Sequence, residues 1–339
     1  MTDDWKIFRG GKAHDGIEAF LETVPPPPWR RFKGTPVDRE VPPAVEEKYE
    51  SSEQEVQLVN ASLYLRRPLL ITGSPGIGKS SLAKAIAYEL GLGAVLRWSI
   101  NTKSTLADGL YRYDAIARLQ DASLRKTQDG SESAPPDIGD YMRLGPLGTA
   151  LLPWRRPRVL LIDEIDKGDI DLPNDLLHVL ELGEFEIPEL VRQARRERQS
   201  VVVATYDQFL DRKERTVEIQ GGIVHCHAFP VVVMTSNGER EFPPAFLRRC
   251  IRHEMRYPAD EKDFEQKLAR IVRTHLEPKE DAVAKADALI AEFVKKATRT
   301  DLATDQLLNA VYLATRGIDL EKEKLLDSVL RSLTGTTTA

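Results

Sequence analysis

Residues 73–80 read Gly73, Ser74, Pro75, Gly76, Ile77, Gly78, Lys79 and Ser80, filling every fixed position of the phosphate-cradling pattern G-x-x-x-x-G-K-[ST]. Glycines let backbone N–H groups turn inward around a phosphate, and a helix N-terminus adds partial positive charge. Lys79 is expected to reach the β- and γ-phosphates of a nucleoside triphosphate and the Ser80 hydroxyl to ligate Mg²⁺, with Ser81 next in the cradle. The loop reads phosphates and not the base. ATP is the expected nucleotide, and GTP stays open.

A second group of chemistry-bearing residues follows the apolar run 159–162. Asp163 and Glu164 sit at its end, where carboxylates beside a phosphate loop meet a metal. Asp163 is expected to hold Mg²⁺, directly or through water. Glu164 is expected to orient and deprotonate an attacking water. A kinase acting on a substrate hydroxyl has less need of a water-activating acid here, so the pair favours hydrolysis. The apolar run 231–234 ends in Thr235, Ser236 and Asn237, and Asn237 can reach the γ-phosphate and the lytic water from an adjacent strand. The same Ser-Asn-Gly triplet is also an ordinary turn signal. Arg248 and Arg249 follow about ten residues later. An arginine there can stabilise a transferring phosphoryl group from a neighbouring subunit, or simply form a surface ion pair.

These residues require a frame that brings strand ends together. The run 69–72 reads as a strand entering the phosphate loop, and 81–90 as the helix leaving it, stopped at Gly91. Runs at 94–100, 159–162, 201–204 and 231–234 read as further strands, rich in Val, Ile and Leu as parallel strands covered on both faces are. Alternation of strand and helix predicts a doubly wound α/β sheet. A helix is expected over 52–65, capped by Ser51 or Ser52. Gly221 and Gly222 lie between alternating residues and predict a hairpin around 216–228. After Pro258 the strands stop. Four apolar stripes at helical spacing (Phe264, Leu268, Ile271, Val272; Leu289, Ile290, Phe293, Val294; Leu307, Leu308, Val311; Leu325, Leu326, Val329, Leu333) predict a small helical domain. The first of these helices has Asp260 as its expected cap.

In order, the phosphate loop, Asp163 and Glu164, Asn237 and Arg249, followed by a helical domain, resemble the AAA+ ATPases. The Gly-Gly hairpin ahead of the Asn237 strand resembles the pre-sensor-1 hairpin of the subgroup holding the MoxR-like and McrB-like proteins. Gly145-Pro146-Leu147-Gly148 and the stretch Ser104 to Leu110 look MoxR-like. The resemblance spans roughly 50–334. Within that subgroup the chain looks most like the ATPases of bacterial conflict (defence) systems. The resemblance implies an αβα nucleotide-binding domain over 51–257, with an insert around 114–150, a helical lid over 258–334 and a tail at 335–339. It implies Asn237 as sensor 1 and Arg249 as the arginine finger, with Arg248 as the alternative. One position departs: Gln306 stands where many relatives carry a sensor-2 arginine, leaving Arg316 or another residue to couple nucleotide to lid. The resemblance further implies a homo-oligomeric ring, expected as a hexamer, acting on a partner protein encoded nearby. A low-turnover oligomerisation switch and a McrB-like nucleic-acid motor are the alternatives. A small-molecule kinase ranks last.

Composition bounds these readings. The 339 residues allow two or three domains. A net charge of −5 provides no global field to steer nucleic acid. The opening Met1-Thr2-Asp3-Asp4 is acidic and polar, so no signal peptide is expected. No apolar run approaches the ~20 residues of a membrane span. Cys226 and Cys250 form no disulfide framework, which fits a reducing cytoplasm. Residues 1–50 read as an irregular Pro-rich extension. It serves either as a tethering arm or to lay Trp29 and Phe32 on a neighbour. His225 and His227 flank Cys226, too few ligands for a metal site, and read as plain surface or as a hairpin tip contacting substrate or partner. The basic run Arg192, Arg195, Arg196 and Arg198 reads as a solvated face or as a patch for an acidic partner or nucleic acid. Arg155, Arg156 and Arg158 are candidates for a subunit seam.

Overall fold

A computed structural model describes residues 5–129, 136–195, 200–258, 260–276, 280–297, 304–316, 318 and 325–330. Its strands in chain order are β1 (Leu69–Thr72), β2 (Leu96–Ser99), β3 (Tyr111–Tyr113), β4 (Met142–Leu144), β5 (Val159–Asp163), β6 (Glu184–Glu186), β7 (Ser200–Ala204), β8 (Thr216–Gln220), β9 (Ile223–His225), β10 (Val231–Ser236) and β11 (Ile251–Glu254).

The central sheet runs β11-β1-β10-β5-β2 and is parallel at every pairing. Every residue of β5 and β10 is buried, as their apolar runs 159–162 and 231–234 require. Register aligns the carboxyl ends: Thr72 pairs with Ser236, and Ser99 with Asp163. The loops leaving β1, β5 and β10 therefore emerge along one edge, where α/β sheets bind ligands. Helices Glu53–Leu65 and Lys79–Glu89 cover one face. Val56, Val59, Leu63, Leu82 and Ile86 share a core cluster there with Leu69, Ile71, Leu161 and Val233.

Three expectations change, and one strand is new. The valine run at 201–203 is no strand of the central sheet. β7 belongs to a second sheet, β3-β4-β7-β8, and its burial alternates, with Val201 and Val203 inside and Val202 56% exposed. Alternation shows a sheet covered on one face only. The Gly221–Gly222 turn joins strands that pair elsewhere: β8 runs antiparallel to β7, and β9 to β6. β11 was not legible, because Ile251-Arg252-His253-Glu254 is mostly polar, as an edge strand tolerates. Finally, residues 5–50 are no free arm. Helix Gly16–Thr23 and the preceding loop bury Phe8, Ile17 and Phe20 in the core cluster of Val56 and Leu82. Phe32 stacks on Phe229 with centroids 5.4 Å apart, while Trp29 is 70% exposed.

Helices Glu261–Leu276, Glu280–Ala297 and Thr304–Thr315 assemble around Phe264, Leu268, Ile290, Phe293, Leu307 and Val311. Asp260 Oδ1 accepts the N–H groups of Lys262 and Asp263, capping the first of them. Leu333, Arg196, Arg198 and the loop 130–135 lie outside the described residues. No helix among the described residues is long and apolar enough to cross a membrane.

Candidate active site

Gly73 to Gly78 turn the chain from β1 into helix Lys79–Glu89, carrying Ser74, Pro75, Gly76 and Ile77 between them. Two glycines are obligatory on local grounds. Gly73 has φ +150, and a Cβ there would lie 2.5 Å from the carbonyl oxygen of Met255. Gly78 has φ +102 at the helix N-cap, with the Tyr49 ring 3.2 Å from where a Cβ would stand. Lys79 folds back over the loop. Its Nζ donates to Gly73 O at 2.7 Å, Ser74 O at 2.9 Å and Asn237 Oδ1 at 2.8 Å. Burial lowers the Lys79 pKa, opposed by the nearby carboxylates of Asp166, Asp163 and Glu164. Ser80 and Ser81 open the helix, with the Ser81 N–H bonded to Gly78 O.

Asp163 closes β5 against that helix. Its Oδ1 accepts Ser80 Oγ at 2.9 Å and Thr235 Oγ1 at 2.6 Å, and its Oδ2 accepts Arg97 Nη2 at 2.6 Å. Burial works to raise the Asp163 pKa, but hydrogen bonds from Thr235, Ser80 and Arg97 outweigh it and hold the carboxyl below its ordinary range. The acid is an anion at neutral pH. Glu164 follows in the left-handed region, φ 59, unusual for a residue with a Cβ. Its N–H donates to Thr235 Oγ1 at 2.9 Å. Its Oε1 accepts Lys167 Nζ at 2.7 Å and, more weakly, Asn237 Nδ2 at 3.4 Å. Asn237 thus touches both Lys79 and Glu164. Buried Asp166 holds it there, its Oδ2 accepting the N–H groups of Asn237 and Glu239 at 3.0 Å each.

The arrangement fits a magnesium nucleotide on the chain's own evidence. Gly73 makes a cradle that a side chain would fill. Ser80 Oγ and Asp163 Oδ1, 2.9 Å apart, are the hard oxygen donors that Mg²⁺ takes. Beside Ile77 opens a cavity of about 410 Å³, walled by Ser52 and Glu55, by His253 of β11 and Met255 just after it, and by Lys267 and Arg270 of helix Glu261–Leu276.

Lys79, Ser80, Asp163, Glu164 and Asn237 therefore come together. Arg248 and Arg249 do not join them. Arg249 Nε donates to Glu181 at the end of helix Leu172–Leu182, and its Nη1 to Ala245 O at 3.2 Å. The Arg248 carbonyl accepts Arg67 Nη1 at 3.2 Å. Arg97, Thr235, Asp166 and Lys167 complete the cluster. Thr235 and Asp166 were visible only as neighbours of motif residues, and Arg97 carried no signal beyond its place on β2.

Other candidates resolve locally. Arg155 bonds Asp38 and Arg156 bonds Glu18 at the surface, whereas Arg158 is buried with Asp207 and is a structural cation. His225 Nδ1 lies 3.0 Å from Glu184 Oε2, and His227, beyond the end of β9, contacts Gly34 O at 2.9 Å.

A family model described as AAA domain (dynein-related subfamily) matches residues 68–250. Among solved structures, the crystal structure of NtrX from Brucella abortus is similar, with 16% identity and a TM-score of 0.44, over 80% of this chain and 52% of that one. The chain thus spans about half the length of that relative. No curated protein matches it.

Proposed function

The chain belongs to the AAA domain family, dynein-related subfamily, whose α/β P-loop fold it has, and from that premise we propose that it is a Mg²⁺-dependent ATPase of the MoxR-like type. The observation that carries the reading is the convergence of Lys79, Ser80, Asp163, Glu164 and Asn237 at the carboxyl ends of β1, β5 and β10. The loop 73–78 and Lys79 bind the β- and γ-phosphates. Ser80 and Asp163 hold Mg²⁺, which when bound neutralises charge on the phosphate oxygens. Glu164 takes the proton of the attacking water, and Asn237 fixes Glu164 and Lys79 relative to each other. The base lies in the cavity beside Ile77. Subunits form a ring, a hexamer, with Arg249 serving the neighbour's site. In the cytoplasm the ring remodels a partner protein encoded nearby, in a bacterial defence setting.

Glu164→Gln tests the chemistry and the assembly together. Phosphate release should fall by about 100-fold or more while nucleotide binding persists. The variant's mass distribution with Mg²⁺ should shift to about six subunits with ATP, and not without nucleotide. Turnover at the wild-type rate would overturn the role of Glu164. A monomer under every condition would overturn the self-sufficient ring.

One observation favours a second reading. Lys167 bonds Glu164 at 2.7 Å, and Arg97 bonds Asp163 at 2.6 Å, so each acid has a cationic partner within the chain. A switch that binds ATP, oligomerises and turns over slowly needs such restraint. Persistence of the ATP-bound state over many minutes, against multiple turnover, separates the two.

A further inference from the structure

Beyond Asp163, on the side of β2 away from the phosphate loop, lies a cavity of about 610 Å³. This is within the size range of small-molecule sites. Four cationic side chains line it, Arg97, Lys103, Arg112 and Arg143, against one carboxylate, Asp108. The placement of two of them is costly. Arg112 and Arg143 stand directly opposite each other across the antiparallel β3–β4 pair, on one face. Like charges so placed repel. Compensation is slight: Asp108 is 3.7 Å from Arg112, and Arg143 lies over the Phe209 ring at 4.9 Å. Among the described residues, Lys103 and Arg143 have no carboxylate partner. An anion between the two strands would turn this repulsion into bidentate pairing, the geometry in which guanidinium groups hold phosphate.

We propose that this cavity is a second ligand site, separate from the phosphate loop, that binds a small phosphorylated molecule. Its bounded volume suits a compact ligand, and the chain's net charge of −5 opposes the long-range capture of nucleic acid. Arg97 links the cavity to the first site. It lines the cavity while its Nη2 bonds Asp163 Oδ2 at 2.6 Å, so a bound phosphate and Asp163 compete for one guanidinium. That coupling rests on the ATPase reading of Asp163; binding in the cavity does not.

The test titrates inorganic tripolyphosphate into the full-length Lys79→Ala protein by calorimetry at low ionic strength. The substitution weakens the phosphate loop and leaves the cavity intact. One site per chain should remain. Adding Arg112→Gln with Arg143→Gln should weaken it about tenfold or more, as loss of charge-assisted bonds does. Lys103→Gln, at a loop position outside any strand, should also weaken it and guards against a folding defect in the double variant. Binding abolished by Lys79→Ala alone, or untouched by the cavity substitutions, would overturn the proposal. So would tighter binding of a single-stranded oligonucleotide through the same arginines. Failure of the ATPase reading would appear instead as wild-type turnover in Glu164→Gln, a separate result.

Discussion

Two carboxylates show how differently this chain uses an acid. Asp163 is nearly buried yet reaches the site edge, and its three donors, Ser80, Thr235 and Arg97, keep it ionised where a cation can share it. Asp207 is a structural acid. Its two oxygens accept Arg158 Nη1 at 2.9 Å and Nη2 at 2.8 Å, both side chains being 2% exposed. Arg158 Nη2 also donates to Ala94 O, and the guanidinium lies over Trp154 at 5.4 Å. Such a pair need not stabilise more than an apolar replacement would, but removing one partner strands a buried charge. Asp207→Asn should therefore cost about 3–5 kcal/mol of folding stability. The urea midpoint of that variant checks it, and a loss under about 1 kcal/mol would show that water reaches the pair. Nucleotide affinity, judged on the folded fraction, should not move.

At the scale of elements, helix Glu53–Leu65 is tied to the phosphate loop by its first turn. Ser52 and Glu55 form a reciprocal capping box. The Glu55 carboxylate also accepts Tyr49 OH at 2.9 Å, and Tyr49 is the residue whose ring touches the space over Gly78. His253 of β11 stands 3.7 Å from the same carboxylate. Burial raises the Glu55 pKa, but bonds from His253, Ser52 and Tyr49 outweigh it, and the native pKa falls below the ordinary 4.5. A depressed native pKa contributes stability above 4.5 that is lost as pH falls through the native value. Wild-type stability should decline with that component below about pH 4.5, and Glu55→Gln should lose it at every pH and show a flatter acid limb. Urea midpoints between pH 6 and pH 3 measure both slopes; parallel slopes would mean that Glu55 is not the linked group. The same elements show what was legible in the sequence. The phosphate loop, β5 and β10 were plain, because a strand covered on both faces has no polar positions to blur it. β7 was misplaced because its valines are as apolar as those of β10, and only the exposure of Val202 reveals one open face. β11 was missed because an edge strand beside β1 is free to carry Arg252 and Glu254. Phe8, Ile17 and Phe20 enter the core from irregular chain and one short helix, without a period long enough to announce burial. Arg97 joins the site through register alone: β2 pairs with β5 so that Ser99 meets Asp163, and no motif encodes that.

At the scale of the whole molecule, what remains is the geometry of assembly. On the proposed reading one chain supplies phosphate binding, metal ligands, a general base and an orienting amide. It supplies no arginine aimed at the transferred phosphate; Arg97 is bonded to Asp163, and Arg249 to Glu181 and Ala245. A phosphoryl-transfer site that lacks such a cation is slow, and one donated by a neighbour raises the rate by orders of magnitude. Arg249 is suited to that donation. It follows the short helix Pro244–Leu247, its side chain is half-buried, and an ion pair to Glu181 with one bond to Ala245 O is a weak restraint near the surface. Arg249→Ala should therefore leave nucleotide binding unchanged, leave the ATP-dependent mass distribution at about six subunits, and reduce assembled turnover by about a thousandfold. Mixing separates donation from a local role. Assemblies of Arg249→Ala with Glu164→Gln subunits should regain part of the activity, because a wild-type Arg249 on the Glu164→Gln subunit completes the intact Glu164 site of its neighbour. If mixed assemblies stay as inactive as either parent, Arg249 acts within its own chain and the shared-site reading fails. If Arg249→Ala alone retains full turnover, no finger resides at this position.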